Sequence, residues 1–265
     1  MALLIPQLAR RTRLGRARRG EAGRRAVFVA ATLLGSAAFA CAAEIASRNA
    51  LWEVVRACAF DKTKTGSPWP CLEVDDAGGL ARGFVILRPP VGRPDTILTP
   101  TRRIVGLEDP LLQRPDAPNY FALAWEARHW LSPAGAEPPP NDRVALAVNA
   151  RLARSQDQLH IHLGCIAPDF VQSLSADGLG PATRTWFRGP DMGRGLELWS
   201  YRTGAPDLQA VAPFRLALQL LRDRAAMLRT TLAVLQVRGE FVVVALRSRP
   251  GGWRAEAEDI MEARC

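Results

Sequence analysis

The chain has 265 residues, 48% of them hydrophobic and 7% aromatic, enough to bury the core of one large domain or two small ones. Its formal net charge of +9 would suggest nucleic acid if it were spread over the domain, but eight arginines against Glu21 place +7 of it within residues 1–25. The remainder carries little net charge, so no nucleic-acid partner is expected.

In chain order, that arginine-rich head runs into Ala26 to Ala43, eighteen residues without a charge. A basic head before an apolar run is an export signal or a signal anchor, with its positive end kept in the cytoplasm. Eighteen residues is close to the minimum for a bilayer span, which favours an anchor. Ala38-Phe39-Ala40 also has the small residues of a cleavage site, so a cleaved signal stays open. Phe28 lies one position too far from Arg24-Arg25 for a twin-arginine signal, and Ala38 stands where a lipid-attachment site before Cys41 needs a branched aliphatic residue. A mitochondrial presequence accounts for the arginines but not for the uninterrupted apolar run. The expected organisation is a cytoplasmic head (1–25), a signal anchor or signal peptide (26–43) and an exported domain (44–265).

Cys58, Cys71, Cys165 and Cys265 lie beyond the leader. An even number in an exported domain favours disulfides. Cys58 and Cys71 bracket a stretch rich in polar residues and proline, which pairs them and leaves Cys165 with Cys265. Four buried thiols are the alternative, and zinc is disfavoured because no pair has C-x-x-C spacing.

Residues 44–57 read as a short helix leading out of the apolar segment. Gly83 to Arg88 and Thr96 to Thr99 read as an antiparallel hairpin turning over Pro89 to Asp95. From Asn119 to Leu131 apolar residues recur at helical spacing, with Asn119 as N-cap, Tyr120, Phe121, Trp125 and Trp130 mostly in the core, and His129 at the surface. Val144 to Asn149 is a third strand, and a fourth carries His160. Strand, strand, helix, strand, strand is an α+β layout, an antiparallel sheet with a helix packed across it. Further on, Gly178 to Gly195 reads as a surface loop and Phe214 to Leu228 as a helix. Thr231 to Val237 and Phe241 to Arg247 form a hairpin about Arg238-Gly239, and Ala255 to Arg264 a terminal helix. No exact sequence repeat is present, but the C-terminal part (196–265) has the elements to complete a second half of the core.

Three histidines occur in the chain, and two of them lie in Gln156-Asp157-Gln158-Leu159-His160-Ile161-His162-Leu163-Gly164-Cys165. In an extended strand His160, His162 and Gly164 share one face. Two imidazoles there are either half of a metal site, with Glu108 as a third ligand, or a metal-free site that attacks phosphorus.

These residues resemble the histidine-triad superfamily of nucleotidyl hydrolases and transferases, whose strand reads His-φ-His-φ-His-φ-φ. Asn149 and Gln156 stand eleven and four residues before His160, as in that pattern. A closer resemblance is to the CDP-diacylglycerol pyrophosphatases. It rests on Cys58 and Cys71, on Pro100-Thr101-Arg102-Arg103-Ile104-Val105-Gly106-Leu107-Glu108-Asp109-Pro110-Leu111-Leu112, on Pro118-Asn119-Tyr120-Phe121-Ala122-Leu123-Ala124-Trp125-Glu126-Ala127-Arg128, on His160-Ile161-His162 with Cys165, on Pro213-Phe214, and on Cys265. The resemblance implies a histidine-triad-like fold and hydrolysis of CDP-diacylglycerol to CMP and phosphatidate, with no cofactor and no metal. It assigns His162 as nucleophile and His160 as its support, with Asn149, Gln156, Arg103, Arg102, Thr101 and Glu108 as candidate substrate-binding residues. Gly164 occupies the third histidine's position, and Asp157 stands where many superfamily members carry Ser or Thr.

A diacyl substrate stays in the bilayer, so the expected partner surface is the membrane. The expected place is the bacterial inner membrane with the domain facing the periplasm, or the periplasm if the signal is cleaved. A homodimer or an intramolecular pseudo-dimer would complete the sheet. The alternatives are a histidine-triad enzyme acting on soluble nucleotides and a non-enzymatic metal- or lipid-binding envelope module.

Overall fold

The computed structural model describes residues 47–88, 96–174, 178–181, 183–221, 223–262 and 265, apart from the Arg224 side chain. The leader's two segments and the Pro89 to Asp95 turn lie outside the described residues. Among the described residues no helix is long and apolar enough to cross a membrane.

Helix α1 (Ala50–Thr65) runs well past the expected end at residue 57, through Cys58 and into the stretch whose polar composition reads as loop. Ala57, Ala59 and Lys62 are good helix formers, and nothing interrupts them until Gly66, whose left-handed backbone (φ 78) returns its N–H to the Lys62 carbonyl. Lys62 and Lys64 occupy the last turn, where the helix dipole favours cations. Leu51, Val55 and Cys58 form the buried stripe, and Cys58 is disulfide-bonded to Cys71.

The strands are β1 (Glu73–Asp75), β2 (Phe84–Leu87), β3 (Thr96–Pro100), β4 (Val144–Val148), β5 (Ile161–Ile166), β6 (Trp186–Asp191), β7 (Leu196–Arg202), β8 (Thr230–Val237), β9 (Glu240–Ser248) and β10 (Met261–Glu262). They make one antiparallel sheet in the order β1-β2-β3-β5-β4-β8-β9-β7-β6, and β10 pairs with β5 where β3 has ended. The helices besides α1 are α2 (Tyr120–Glu126), α3 (Pro168–Ser173), α4 (Pro213–Leu220) and α5 (Arg224–Leu228). Mixed helix and antiparallel sheet is the α+β class that the order of elements implies.

Side-chain alternation divides the sheet into two buried faces. Ile86, Leu98, Leu146, Ile161, Leu163, Val234 and Val243 pack under α2 and α4, against Tyr120, Phe121 and Phe214. Asn119 caps α2 by accepting from the Ala122 N–H at 3.2 Å, and the chain continues as a 3₁₀ turn over Ala127–Leu131. On the opposite face α1 covers Val85, Leu87 and Ile97. Further along that same face Phe170 of α3 and the terminal residues Ala257, Ile260 and Met261 cover Ala145, Ala147, Leu235 and Val244.

Three further expectations fail here. The stretch from Gly178 to Gly195 holds β6, which tolerates Gly189 and Pro190 because it is the sheet's edge strand. The single helix over Phe214 to Leu228 is two, because Asp223 accepts from the Ala226 N–H at 2.6 Å and starts a new one. The terminal helix is replaced by one 3₁₀ turn, Ala257–Asp259, closed by a capping box between Glu256 and Asp259, followed by β10. Pairing with β5 and the Cys165–Cys265 disulfide supply long-range contacts that outweigh the local helical spacing. Both cysteine pairings are those read from the sequence.

Candidate active site

The sheet face that carries His162 is covered by α1 over β2 and β3, and by the terminal segment over β4, β8 and β9. His162 on β5 lies between these covers, opposite Ile97 on one side and Ala147 on the other, and remains half-buried. Ala145 and Ala147 are small and fully buried beneath the terminal segment, and Gly164 lies directly against β10.

His160 enters just before β5 and is buried. Its Nδ1 lies 2.8 Å from the Gln158 carbonyl oxygen, which can only accept, so Nδ1 carries the ring proton and Nε2 keeps its lone pair in the neutral ring. The two imidazoles sit edge to face with centroids 5.0 Å apart. Asn149, at the end of β4, has its amide orientation fixed from outside the site: the Ala257 N–H donates to Oδ1 at 2.7 Å. The amide nitrogen is thereby aimed at His162 Nε2, 3.4 Å away. That contact is long enough to yield to a substrate oxygen.

The segment leading into His160 is anchored by a residue that the sequence reading passed over. Gln158 is fully buried, and its Nε2 donates to the Pro100 and Arg102 carbonyls, each at 3.0 Å, tying the end of β3 to the start of β5. Its only sequence signal is a polar side chain at a position whose neighbours in the alternation point into the sheet. Arg154, also passed over, is 2% exposed and grips both Glu108 oxygens at 2.8 and 2.6 Å, with Asp157 at 3.3 Å. Burial alone would raise the Glu108 carboxyl, but the hydrogen bonds and charge of Arg154 outweigh it and hold the pKa below the ordinary carboxylate value.

The predicted residues therefore fall into separate groups. Asn149, His160 and His162 come together. Gln156 and Arg103 meet at the start of α1: Gln156 Oε1 accepts the Leu51 N–H at 2.9 Å, and Arg103 donates to Asn49 Oδ1 with its guanidinium 5.8 Å from the Trp52 ring. Thr101 is buried and donates to the Leu80 carbonyl. Arg102 lines a cavity under α2 beside Tyr120. Glu108 is committed to Arg154, so the third ligand that the metal reading requires is already engaged, and the described residues hold no cluster of three metal-ligating side chains.

Gly164, at the position of a third histidine, is in steric contact with the terminal strand. A Cβ there would lie 2.1 Å from the Glu262 carbonyl oxygen and 2.6 Å from Met261 Cε. No side chain fits unless β10 moves.

A half-exposed imidazole backed by a second imidazole and a fixed amide donor, without added negative charge, suits attack on a phosphoric anhydride, and the protein is a hydrolase of that class. The chain belongs to the CDP-diacylglycerol pyrophosphatase family, whose model matches residues 46–265. It hydrolyses the diphosphate of CDP-diacylglycerol, giving CMP and phosphatidate.

Proposed function

We propose that this hydrolysis runs through a covalent cytidylyl-histidine in a histidine-triad-like site. His162 Nε2 attacks the cytidylyl phosphorus, the bond from that phosphorus to the bridging oxygen breaks, and phosphatidate leaves with the oxygen and its electron pair. Water then attacks the same phosphorus, the N–P bond breaks, CMP departs, and the water proton passes to product or solvent. A neutral imidazole suits the first step because hydroxide is repelled by the anionic phosphate oxygens. Phosphatidate departs as a stabilised anion, so the missing side chain at Gly164 costs little acid assistance.

The observation that carries this reading is the Asn149 amide, locked by Ala257 so that its donor faces His162 Nε2. His160, with its proton fixed on Nδ1, supports the phosphate or the neighbouring backbone. Gln156 and Arg103, beside the start of α1, supply a further amide and a positive charge for the diphosphate. The apolar run 26–43 tethers the domain to the outer face of the bacterial inner membrane, confining enzyme and bilayer substrate to one surface. The chain remains in alkaline-washed membranes if the tether is intact, and is released with a new N-terminus after Ala40 if it is cleaved.

The test is rapid acid-avoiding quench with cytidine-labelled CDP-diacylglycerol followed by peptide mapping. Label should appear on His162, and His162→Ala should lower CMP release by on the order of 10³-fold or more with the melting temperature unchanged. CMP release at the wild-type rate in His162→Ala would remove His162 from the mechanism.

A further inference from the structure

On the sheet face away from His162, a cavity of about 250 Å³ opens at the end of β3. Its wall carries Arg82, Arg102 and Arg114, with Asp116 as the one carboxylate, and Tyr120 forms part of its lining. Tyr120 packs with Leu98 and Ile161, whereas His162 is in register with Ile97; successive residues of β3 point to opposite faces, so cavity and histidines lie on opposite sides of the sheet.

The Tyr120 hydroxyl is buried and has no hydrogen-bond partner. Leaving such a group unpaired is unfavourable unless something completes it. Burial pushes its pKa up to about 12, while the charges of Arg102 and Arg82 act on it in the opposite direction, and all three residues line the same cavity. At neutral pH the hydroxyl is a donor. Arg114 is paired with Asp116 at 2.9 Å, and Arg82 donates to the Asp116 carbonyl at 2.9 Å, which holds both side chains at the rim. The cavity thus offers donors of positive charge around one neutral hydroxyl donor, with its single carboxylate already engaged.

We infer that this cavity is a second anion site, separate from the hydrolytic one, that takes a phosphate monoester dianion between Arg82, Arg102 and the Tyr120 hydroxyl. The forked geometry of guanidinium groups fits phosphate oxygens, and a monoester offers three of them. The site stands on its own geometry and does not depend on the role proposed for His162.

Calorimetric titration of the full chain with inorganic phosphate, and separately with a short-chain soluble phosphatidate, tests it. Saturable binding that Tyr120→Phe and Arg82→Gln each weaken about tenfold, and that His162→Ala leaves in place, supports the site. Phosphatidate binding far more tightly than inorganic phosphate selects a lipid headgroup as the occupant; equal binding selects free phosphate. Unchanged affinity in Tyr120→Phe and Arg82→Gln overturns the inference, as does binding that only His162→Ala removes. Arg82 is exposed, so its variant keeps the fold even if Tyr120→Phe loosens the core.

Discussion

Strands β5 and β9 are both interior to one sheet and hydrogen-bonded on both sides, and a single row of residues crosses both: Ile97, His162, Ala147, Ala233 and Val244. At β5 that row carries an imidazole left half-buried between two covers. At β9 it carries a valine sealed under the terminal segment. The two halves also use charge differently. Around β5 a buried Arg154 grips Glu108, while Glu197 of β7 sits among Arg188 of β6, Arg247 of β9 and Arg249 just beyond it, at 3.0, 2.5 and 3.1 Å. The same sheet is therefore left partly open in the half where we propose the chemistry and sealed in the other, and the open half holds the buried Arg154–Glu108 pair.

That pair can be broken. Glu108→Gln leaves the Arg154 charge buried beside Asp157 alone and should cost about 3–5 kcal/mol in urea unfolding at neutral pH. Because the folded Glu108 pKa is lowered, the carboxylate's contribution is present above its unfolded pKa and lost as pH falls through the folded value. The gap between wild type and variant should shrink on acidification; a gap that widens in acid would contradict this assignment.

Cys265→Ser comes next. The Cys165–Cys265 bond closes a loop of 100 residues, against 13 for Cys58–Cys71, so by the chain-entropy argument its loss should cost about 4–5 kcal/mol against about 3 for Cys58→Ser. Thermal melts rank the two. Turnover should fall in Cys265→Ser as well, since the terminal segment holds Asn149 through Ala257. Gly164→Ala should displace β10 and cost about 1–3 kcal/mol by overpacking. Turnover in that variant reads how tightly β10 sets the site. Glu197→Gln should be the mildest at about 1 kcal/mol or less, diminishing with added salt. A Glu197 effect as large as that of Glu108 would erase the distinction between the halves.

Local patterns were enough to read the β2–β3 and β8–β9 hairpins, the Asn119 cap and the alternation that sets His162 and Gly164 on one face, because each is decided within a few residues. The terminal strand was not legible, since Ala255 to Met261 has helical spacing and is drawn into the sheet only by partners about a hundred residues earlier. The same holds within the site. The offset of Asn149 from His160 marks it as a candidate, but the direction of its amide is set by Ala257, 108 residues away. Gln158 and Arg154 act on backbone and carboxylate groups that only folding brings near, so no spacing rule points to them.

The Cys165–Cys265 bond also sets how the molecule bears mechanical load. Tension applied between α1 and residue 265 would pass along β5 and cross directly through the disulfide, leaving β6 to β9 slack inside the 100-residue loop. The histidine-bearing half would give way under force while its supporting half stayed unloaded. Reduction would release a hidden length of roughly 330–360 Å of chain, visible as a longer extension before the tether becomes taut.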